Sequence, residues 1–359
     1  MKVLILANDD EGLYQFRKEL IVELLKRSEV YATVPEGPYK QDLISLGVKL
    51  HTLQINRHGV NPIEDIKLMR EYKNLIKNIH PDVVLTYTIK PNVYGGIVCQ
   101  MENIPYIANI TGLGTAVENG GILQKITLFL YRVGLRKSKK VFFQNTENKD
   151  FMIKKKVVKG EYELLPGSGV NLNHFMRMEY PNDNVIHFAF ISRIMKEKGV
   201  DQYLEAAEYI KSKYPDTQFH VCGYCEQDYE DKLKKLCEQG IINYHGCIRD
   251  VREMHRISSC TIHPTYYPEG LSNVLLESLS CCRPIITTNR SGCREVIDDG
   301  INGYIVEQKN TKDLIEKIEK FIALPHEMKK EMGLAGREKV EREFDRTIVV
   351  DKYIKAIWS

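Results

Sequence analysis

Short apolar runs alternate with longer stretches of helical period along almost the whole chain, and the alternation runs through twice. VLILA (3–7), VYATV (30–34), KLHTLQI (49–55), DVVLTY (82–87), YIANI (106–110), VFFQN (141–145) and YELLP (162–166) are separated by segments such as YQFRKELIVELLKR and PIEDIKLMREYKNLIKNI, the latter closed by His80 and Pro81. Strands buried on both faces read as unbroken apolar runs, and the helices between them supply parallel crossovers, so the pattern predicts an α/β fold with parallel sheets. After PGSGVNLNHFMRMEYPNDN, which has no sustained period, the count restarts at VIHFAFI and continues through QFHVCGY, INYHG, CTIHPTY, PIITT and GYIVE. Two doubly wound domains of similar size follow, which 359 residues accommodate more readily than one core. The boundary is expected near residue 181, giving domains over 1–181 and 182–340. Ligands of open parallel sheets bind outside the carboxyl ends of the strands, so a cleft between the domains is the expected site.

Charge and motifs narrow the function classes. The chain has no apolar run long enough to span a membrane, and MKVLILANDD reads as a first strand rather than a signal peptide. Nine scattered cysteines, an odd number, suit a reducing compartment, so the cytoplasm is expected. Net charge is only +3, yet residues 121–160 hold eleven Lys and Arg against Glu147 and Asp150, which implies an anionic partner for the first domain. The first strand–helix junction, LANDDEGLYQF, offers only Gly12 and lacks the dinucleotide fingerprint. There is no P-loop, DxD, HExxH or HxH, and no metal is called for. Cys222, Cys225, Cys237, His245 and Cys247 are the nearest thing to a metal cluster, but the strand pattern QFHVCG makes packing the better reading of Cys222.

Two stretches carry the chemistry. In HPTYYPEGLSNVLLESLSCCRPIITT (263–288), Pro268 and Gly270 make a turn, and Ser272 or Asn273 can cap the helix that follows, whose free N–H groups favour a phosphate. Asn273, Glu277 and Ser280 fall on one stripe of that helix. A carboxylate there can accept both hydroxyls of a ribose diol, and Glu269, before the helix, can receive hydroxyls of a group beyond the phosphates. In SRIMKEKGV (192–200), Arg193 and Lys198 can reach over the carboxyl edge of the sheet to an anion. SGCREV (291–296) adds a turn and a possible helix start, where the amides of Gly292 and Cys293 could line the same cleft.

Those residues resemble the signature of the retaining nucleotide-sugar glycosyltransferases of GT-B fold, family 4, in which two glutamates are separated by seven residues, as Glu269 and Glu277 are. SRIMKEKGV is similar to the family's Arg–Lys pair, and GCIRDV (246–251) to its base-side loop. RHGVNP (57–62), PDVVLTYTIKPNVYG, IPYIANITGLG, LYRVGLRKSKKVFFQN and LLPGSGVNLNHF resemble one branch, which adds N-acetylgalactosamine or related hexoses to undecaprenyl-diphosphate-linked sugars for capsule, O-antigen or glycoprotein glycans.

The resemblance implies two Rossmann-like domains, with the final helix, 341–359, returning to the first. It implies a UDP-sugar donor without a further cofactor. Arg193 and Lys198 would hold the diphosphate and Glu269 would orient the sugar. Glu277, Gly270, Leu271, Ser272, Asn273, Cys247 and Ile248 would bind the donor, with Gly112 and Gly114 letting the first domain's backbone approach it. Lys90, Asn92 and Thr111 would contact sugar or acceptor. Three places depart from the family pattern: the first strand–helix loop reads NDDEG (8–12) where many relatives are Gly-rich, Tyr87 stands where several relatives have histidine, and Asn171 where Asp is frequent.

The implied partners are a nucleotide sugar, a lipid-linked saccharide and an anionic membrane surface, the last touched peripherally through the basic segment GGILQKITLFLYRVGLRKSKK. Its apolar face could equally pack on the sheet. Nucleic acid is not expected, because no reader motif accompanies the charge. A soluble acceptor, another nucleotide donor, a non-catalytic sugar-binding module and an epimerase remain alternatives.

Overall fold

The computed structural model describes residues 1–53, 61–118, 120–181 and 185–359. Arg57, His58, Gly59 and Val60 of the RHGVNP stretch lie outside the described residues. The chain divides into two compact units.

The first unit comprises Met1–Gly169, Pro268–Leu271 and Arg346–Ser359. Its strands are β1 (Lys2–Leu6), β2 (Glu29–Val34), β3 (Lys49–Thr52), β4 (Val83–Tyr87), β5 (Tyr106–Ile110), β6 (Lys140–Phe143) and β7 (Tyr162–Leu164). They form one parallel sheet in the order β3-β2-β1-β4-β5-β6-β7. Every residue of β4 and β5 is buried, as unbroken apolar runs require of central parallel strands. The helix Pro62–Ile79 ends where His80 turns left-handed at φ 51, just before Pro81. The last helix, Arg346–Trp358, lies against the helix Asp10–Leu25: Arg346 bonds the Gln15 carbonyl and the Glu19 carboxylate, and Tyr353 packs on Tyr87 and Phe142.

The second unit comprises Val170–Tyr267 and Ser272–Asp345. Its strands are β8 (Ile186–Ile191), β9 (Thr217–Cys222), β10 (Asn243–Tyr244), β11 (Cys260–His263), β12 (Ile285–Thr288) and β13 (Gly303–Val306), all parallel, in the order β10-β9-β8-β11-β12-β13. The winding is that of the first sheet: it runs one way for three strands, then resumes on the other side of the starting strand.

Residues 170–181, placed in the first domain from sequence, group with the second unit. Val170 N–H donates to the Phe344 carbonyl at 2.9 Å. The Phe175 carbonyl accepts from Ser280 and Arg337, and the Glu179 carbonyl from Arg283 at 2.8 Å. Arg283 is fully buried and is satisfied by main-chain oxygens, including those of His255 (2.6 Å), Cys281 (3.0 Å) and Arg256 (3.2 Å).

Candidate active site

In the second unit the winding reverses between β8 and β11, and loops leaving the carboxyl ends of those two strands flank the point where open sheets take their ligands. The loop after β8 carries Arg193 and Lys198; the loop after β11 leads to Tyr267 and Ser272. Lys198 closes a short turn, Lys196–Lys198, and Gly199 follows at φ 79. A Cβ on Gly199 would stand 2.2 Å from the Pro264 carbonyl oxygen, so only glycine lets these two loops approach so closely.

Both cations converge on one ring. The guanidinium carbon of Arg193 is 5.3 Å, and Nζ of Lys198 is 5.0 Å, from the centroid of Tyr267. Lys198 is only 8% exposed. Arg193 also pairs with Glu226; burial works against its charge, but Glu226 and Tyr267 outweigh that and raise its pKa. Tyr267 is fixed through its backbone, its N–H donating to Thr265 Oγ1 (3.1 Å) and its carbonyl accepting from Arg290 Nε (3.1 Å).

The helix Asn273–Ser280 starts immediately after Ser272, which has the extended backbone of an N-cap but makes no side-chain cap bond. Ser272 Oγ and Asn273 Oδ1 are both buried without a hydrogen-bond partner. Buried polar atoms are nearly always paired, so two orphans at the positive end of a helix mark a place a ligand would complete. Glu277 lies half-buried one turn along.

Ser280 does not extend this polar stripe. It is buried, donating to the Phe175 carbonyl (2.6 Å) and accepting from Arg337 (3.0 Å), because the helix is enclosed around most of its circumference. The amides of Gly292 and Cys293 are also occupied, donating to Glu295 (2.7 Å) and to the Arg290 carbonyl (3.0 Å), and SGCREV forms turns rather than a helix. In the GCIRDV loop Cys247 is exposed, while Ile248 packs against the cluster of Ala189, Ile191, Cys222 and Met254. Burial pushes the Cys222 thiol up to about 12, the behaviour of a core residue.

In the first unit Asn145 holds Pro268–Leu271. Its Nδ2 donates to the carbonyls of Glu269 (3.0 Å) and Gly270 (2.6 Å), while its Oδ1 accepts from Asn148 N–H (2.8 Å) and caps the helix Thr146–Lys154. Gly270 passes so near Thr111 that a Cβ would lie 2.0 Å from the Thr111 carbonyl oxygen. Gly112, at φ 156, faces Pro268 across a gap where a Cβ would meet its carbonyl oxygen at 3.2 Å. Gly114, at φ 70, opens the helix Gly114–Glu118. Leu271 is buried against Gly167 and acts by packing. Glu269 is half-buried.

Lys90 and Asn92 are committed within the first unit. Lys90 Nζ sits 2.8 Å from Asp65, whose other oxygen accepts from Tyr94 Oη at 2.6 Å. Asn92 is fully buried, accepting from Thr86 (2.7 Å) and donating to the Asn109 carbonyl (2.8 Å). Tyr87 lies in the core, 4.9 Å from the Arg17 guanidinium carbon, so it does not stand in for an exposed histidine. The structure thus joins Arg193 and Lys198 through Tyr267, and Glu269 and Gly270 to Asn145, two residues that no motif singled out.

Two family models cover most of the chain: "Glycosyl transferase 4-like" over residues 2–145 and "Glycosyl transferases group 1" over residues 176–339. The chain is 25% identical, over 99% of its length and 98% of the relative's, to the N,N'-diacetylbacillosaminyl-diphospho-undecaprenol alpha-1,3-N-acetylgalactosaminyltransferase of Campylobacter jejuni. Among solved structures it resembles a glycosyltransferase from Rickettsia africae (TM-score 0.81, 18% identity, 99% of this chain and 97% of that one). It also resembles Anabaena HepE in complex with UDP and glucose (TM-score 0.79, 16% identity, 100% of both chains). These likenesses are to GT-B folds, and with the two family matches they establish that the chain belongs to the group 1 glycosyltransferases, with a GT4-like N-terminal domain.

Proposed function

We propose that the protein is a retaining glycosyltransferase that moves a hexose, an N-acetylhexosamine, from a UDP-sugar to a saccharide carried on undecaprenyl diphosphate, in capsule, O-antigen or glycoprotein glycan synthesis. The observation that carries the donor half is the loop pair at the winding reversal of the second sheet. There, two cations share the Tyr267 ring, and the neighbouring helix begins with two buried, unpaired oxygens. A diphosphate supplies the charge for the first feature. The Ser272 hydroxyl can donate to a phosphate oxygen, and Asn273 Oδ1 can accept from a hydroxyl or amide N–H.

Arg193 and Lys198 would offset the charge that gathers on the departing UDP, the largest electrostatic demand of the reaction. Glu277 would accept the ribose hydroxyls, and Glu269 would orient the hexose through its own. The acceptor hydroxyl attacks the face that UDP leaves, through an oxocarbenium-like state, so no carboxylate need act as a nucleophile. Positioning and leaving-group stabilisation are then the enzyme's main work. UDP as the donor nucleotide is supported by the UDP complex of the Anabaena structure, and the lipid-linked acceptor by the name of the Campylobacter relative.

The helix Gly121–Gly134 supports a membrane surface as partner. It buries Thr127, Leu128, Tyr131 and Gly134, and on its other side exposes Ile122, Ile126, Phe129 and Val133 at spacings of four, three and four. Lys125, Arg132, Arg136 and Lys137, all exposed, flank that apolar stripe. Apolar side chains edged by cations match the headgroup boundary of an anionic bilayer. Among the described residues no helix is long and apolar enough to cross a membrane.

The deciding experiment incubates the purified protein with UDP-sugars and a short undecaprenyl-diphosphate saccharide, beside soluble sugar acceptors, and identifies the product linkage. A retained anomeric linkage on the lipid saccharide is expected. Inversion, or transfer only to soluble sugars, would refute the reading. Sedimentation with anionic vesicles should fall sharply for Ile126→Ser with Phe129→Ser, and unchanged sedimentation would remove the membrane surface from it.

A further inference from the structure

Arg193 and Lys198 carry like charge and meet the same small ligand, so something must hold them together before that ligand arrives. We infer that Tyr267 is the positioning residue that does so, its ring face holding both cations ready for the diphosphate of the donor. The inference rests on the donor reading above.

The argument is one of charge. Both cationic groups lie within 5.3 Å of a single ring centroid, inside the range where an aromatic face attracts a cation. Glu226 pairs with Arg193 on one side, but the Tyr267 ring is a group that both cations share. A neutral ring attracts through its quadrupole and adds no negative charge of its own to the pair. Lys198, at 8% exposure, is largely withdrawn from water, where such attraction is strongest.

The ring is itself held in place. Thr265 and Arg290 bond the two backbone groups of Tyr267, and Gly199 lets the Lys198 turn close onto Pro264 in the same loop.

The test is calorimetric binding of UDP and of uridine to the full-length wild type, Tyr267→Phe and Tyr267→Leu, with a melting curve for each. Uridine has no phosphate for the cations to meet, so it reports the rest of the site. Tyr267→Leu should weaken UDP roughly tenfold while uridine binds as before, and Tyr267→Phe should stay within about twofold of wild type for both. Equal weakening of UDP and uridine by the Leu variant would reduce Tyr267 to ordinary packing, and no weakening of either would overturn the inference outright. A wild type with no preference for UDP over uridine would instead defeat the donor reading itself. Should the Leu variant melt early, Tyr267→Trp, which keeps a ring, must preserve the UDP preference or the inference is lost.

Discussion

Asn145 does two jobs with one amide, and substitutions can separate them. Its oxygen caps the helix Thr146–Lys154, and its nitrogen holds the carbonyls of Glu269 and Gly270 at 3.0 and 2.6 Å. Asn145→Ala removes a cap worth about 1 kcal/mol and two hydrogen bonds from a buried amide, each worth about 1 kcal/mol net. The first unit should therefore lose about 3 kcal/mol, or roughly 6–12 °C in melting temperature for a domain of this size. Asn145→Ser keeps a cap acceptor but is too short to reach the loop, so it should lose about 2 kcal/mol. If Glu269 orients the hexose, both variants release it equally and should slow turnover about 100-fold, the usual penalty of a misplacement near 1 Å. Calorimetry of the first transition and UDP release at saturating donor give the two numbers. Wild-type turnover in Asn145→Ser would show that the tether to Glu269 has no catalytic consequence, and equal melting of the Ala and Ser variants would show that the cap contributes nothing.

Other consequences are simpler to state. Arg283→Met leaves several buried carbonyls without donors and should cost the second unit more than about 4 kcal/mol, seen as early urea unfolding with the first unit's transition unmoved. His255 is fully buried with both ring nitrogens unpaired, and burial, reinforced by Arg283, holds its pKa down at about 3. The unfolded chain takes up that proton near pH 6.5, so this stability is complete above pH 6.5 and lost as pH falls, by about 3 kcal/mol on reaching pH 4. Melting curves of His255→Leu should show a shallower acid slope than wild type, and an identical slope would assign the effect to other groups. Gly199→Ala forces apart the loops after β8 and β11 and should raise the donor KM at least tenfold; a normal KM would mean that their close approach is dispensable.

What could be read from the sequence, and what could not, divides along a physical line. The central apolar runs became strands because a strand buried on both faces must be apolar along its length and advertises itself, whereas the exposed edge strands β3, β7 and β10 were marked by their place in the alternation. The helix His326–Glu343 gave no such sign. Met332 and Val340 are buried, but the rest of its buried face is Gly333 and Gly336, where a Cβ would stand 2.2 Å from the Cys282 carbonyl oxygen and 2.4 Å from Leu279, and the stems of Lys329, Arg337 and Lys339. Glycines and lysine stems bury area without leaving an apolar period. The unit boundary escaped for a related reason: residues 170–181 are claimed by Phe344, Arg337 and Arg283, partners more than 100 positions away and invisible to local pattern.

The same line runs through the site. Arg193, Lys198, Glu269 and Glu277 could be proposed from sequence because a diphosphate sugar calls for cations and carboxylates at fixed spacings, and spacing is a property of sequence. Tyr267 and Asn145 were not, because they act on other protein groups rather than on the ligand, and any tyrosine or asparagine near a strand end looks alike until its neighbours are known. Lys90 and Asn92 fail in the opposite sense: polar residues in a loop after a central strand look available, yet Asp65 and the Asn109 carbonyl already hold them. Satisfaction of polar groups decides which residues a ligand can still recruit, and it is settled by partners remote in sequence. The two unpaired oxygens of Ser272 and Asn273 are therefore a stronger argument for the proposed donor site than a further charged residue would be.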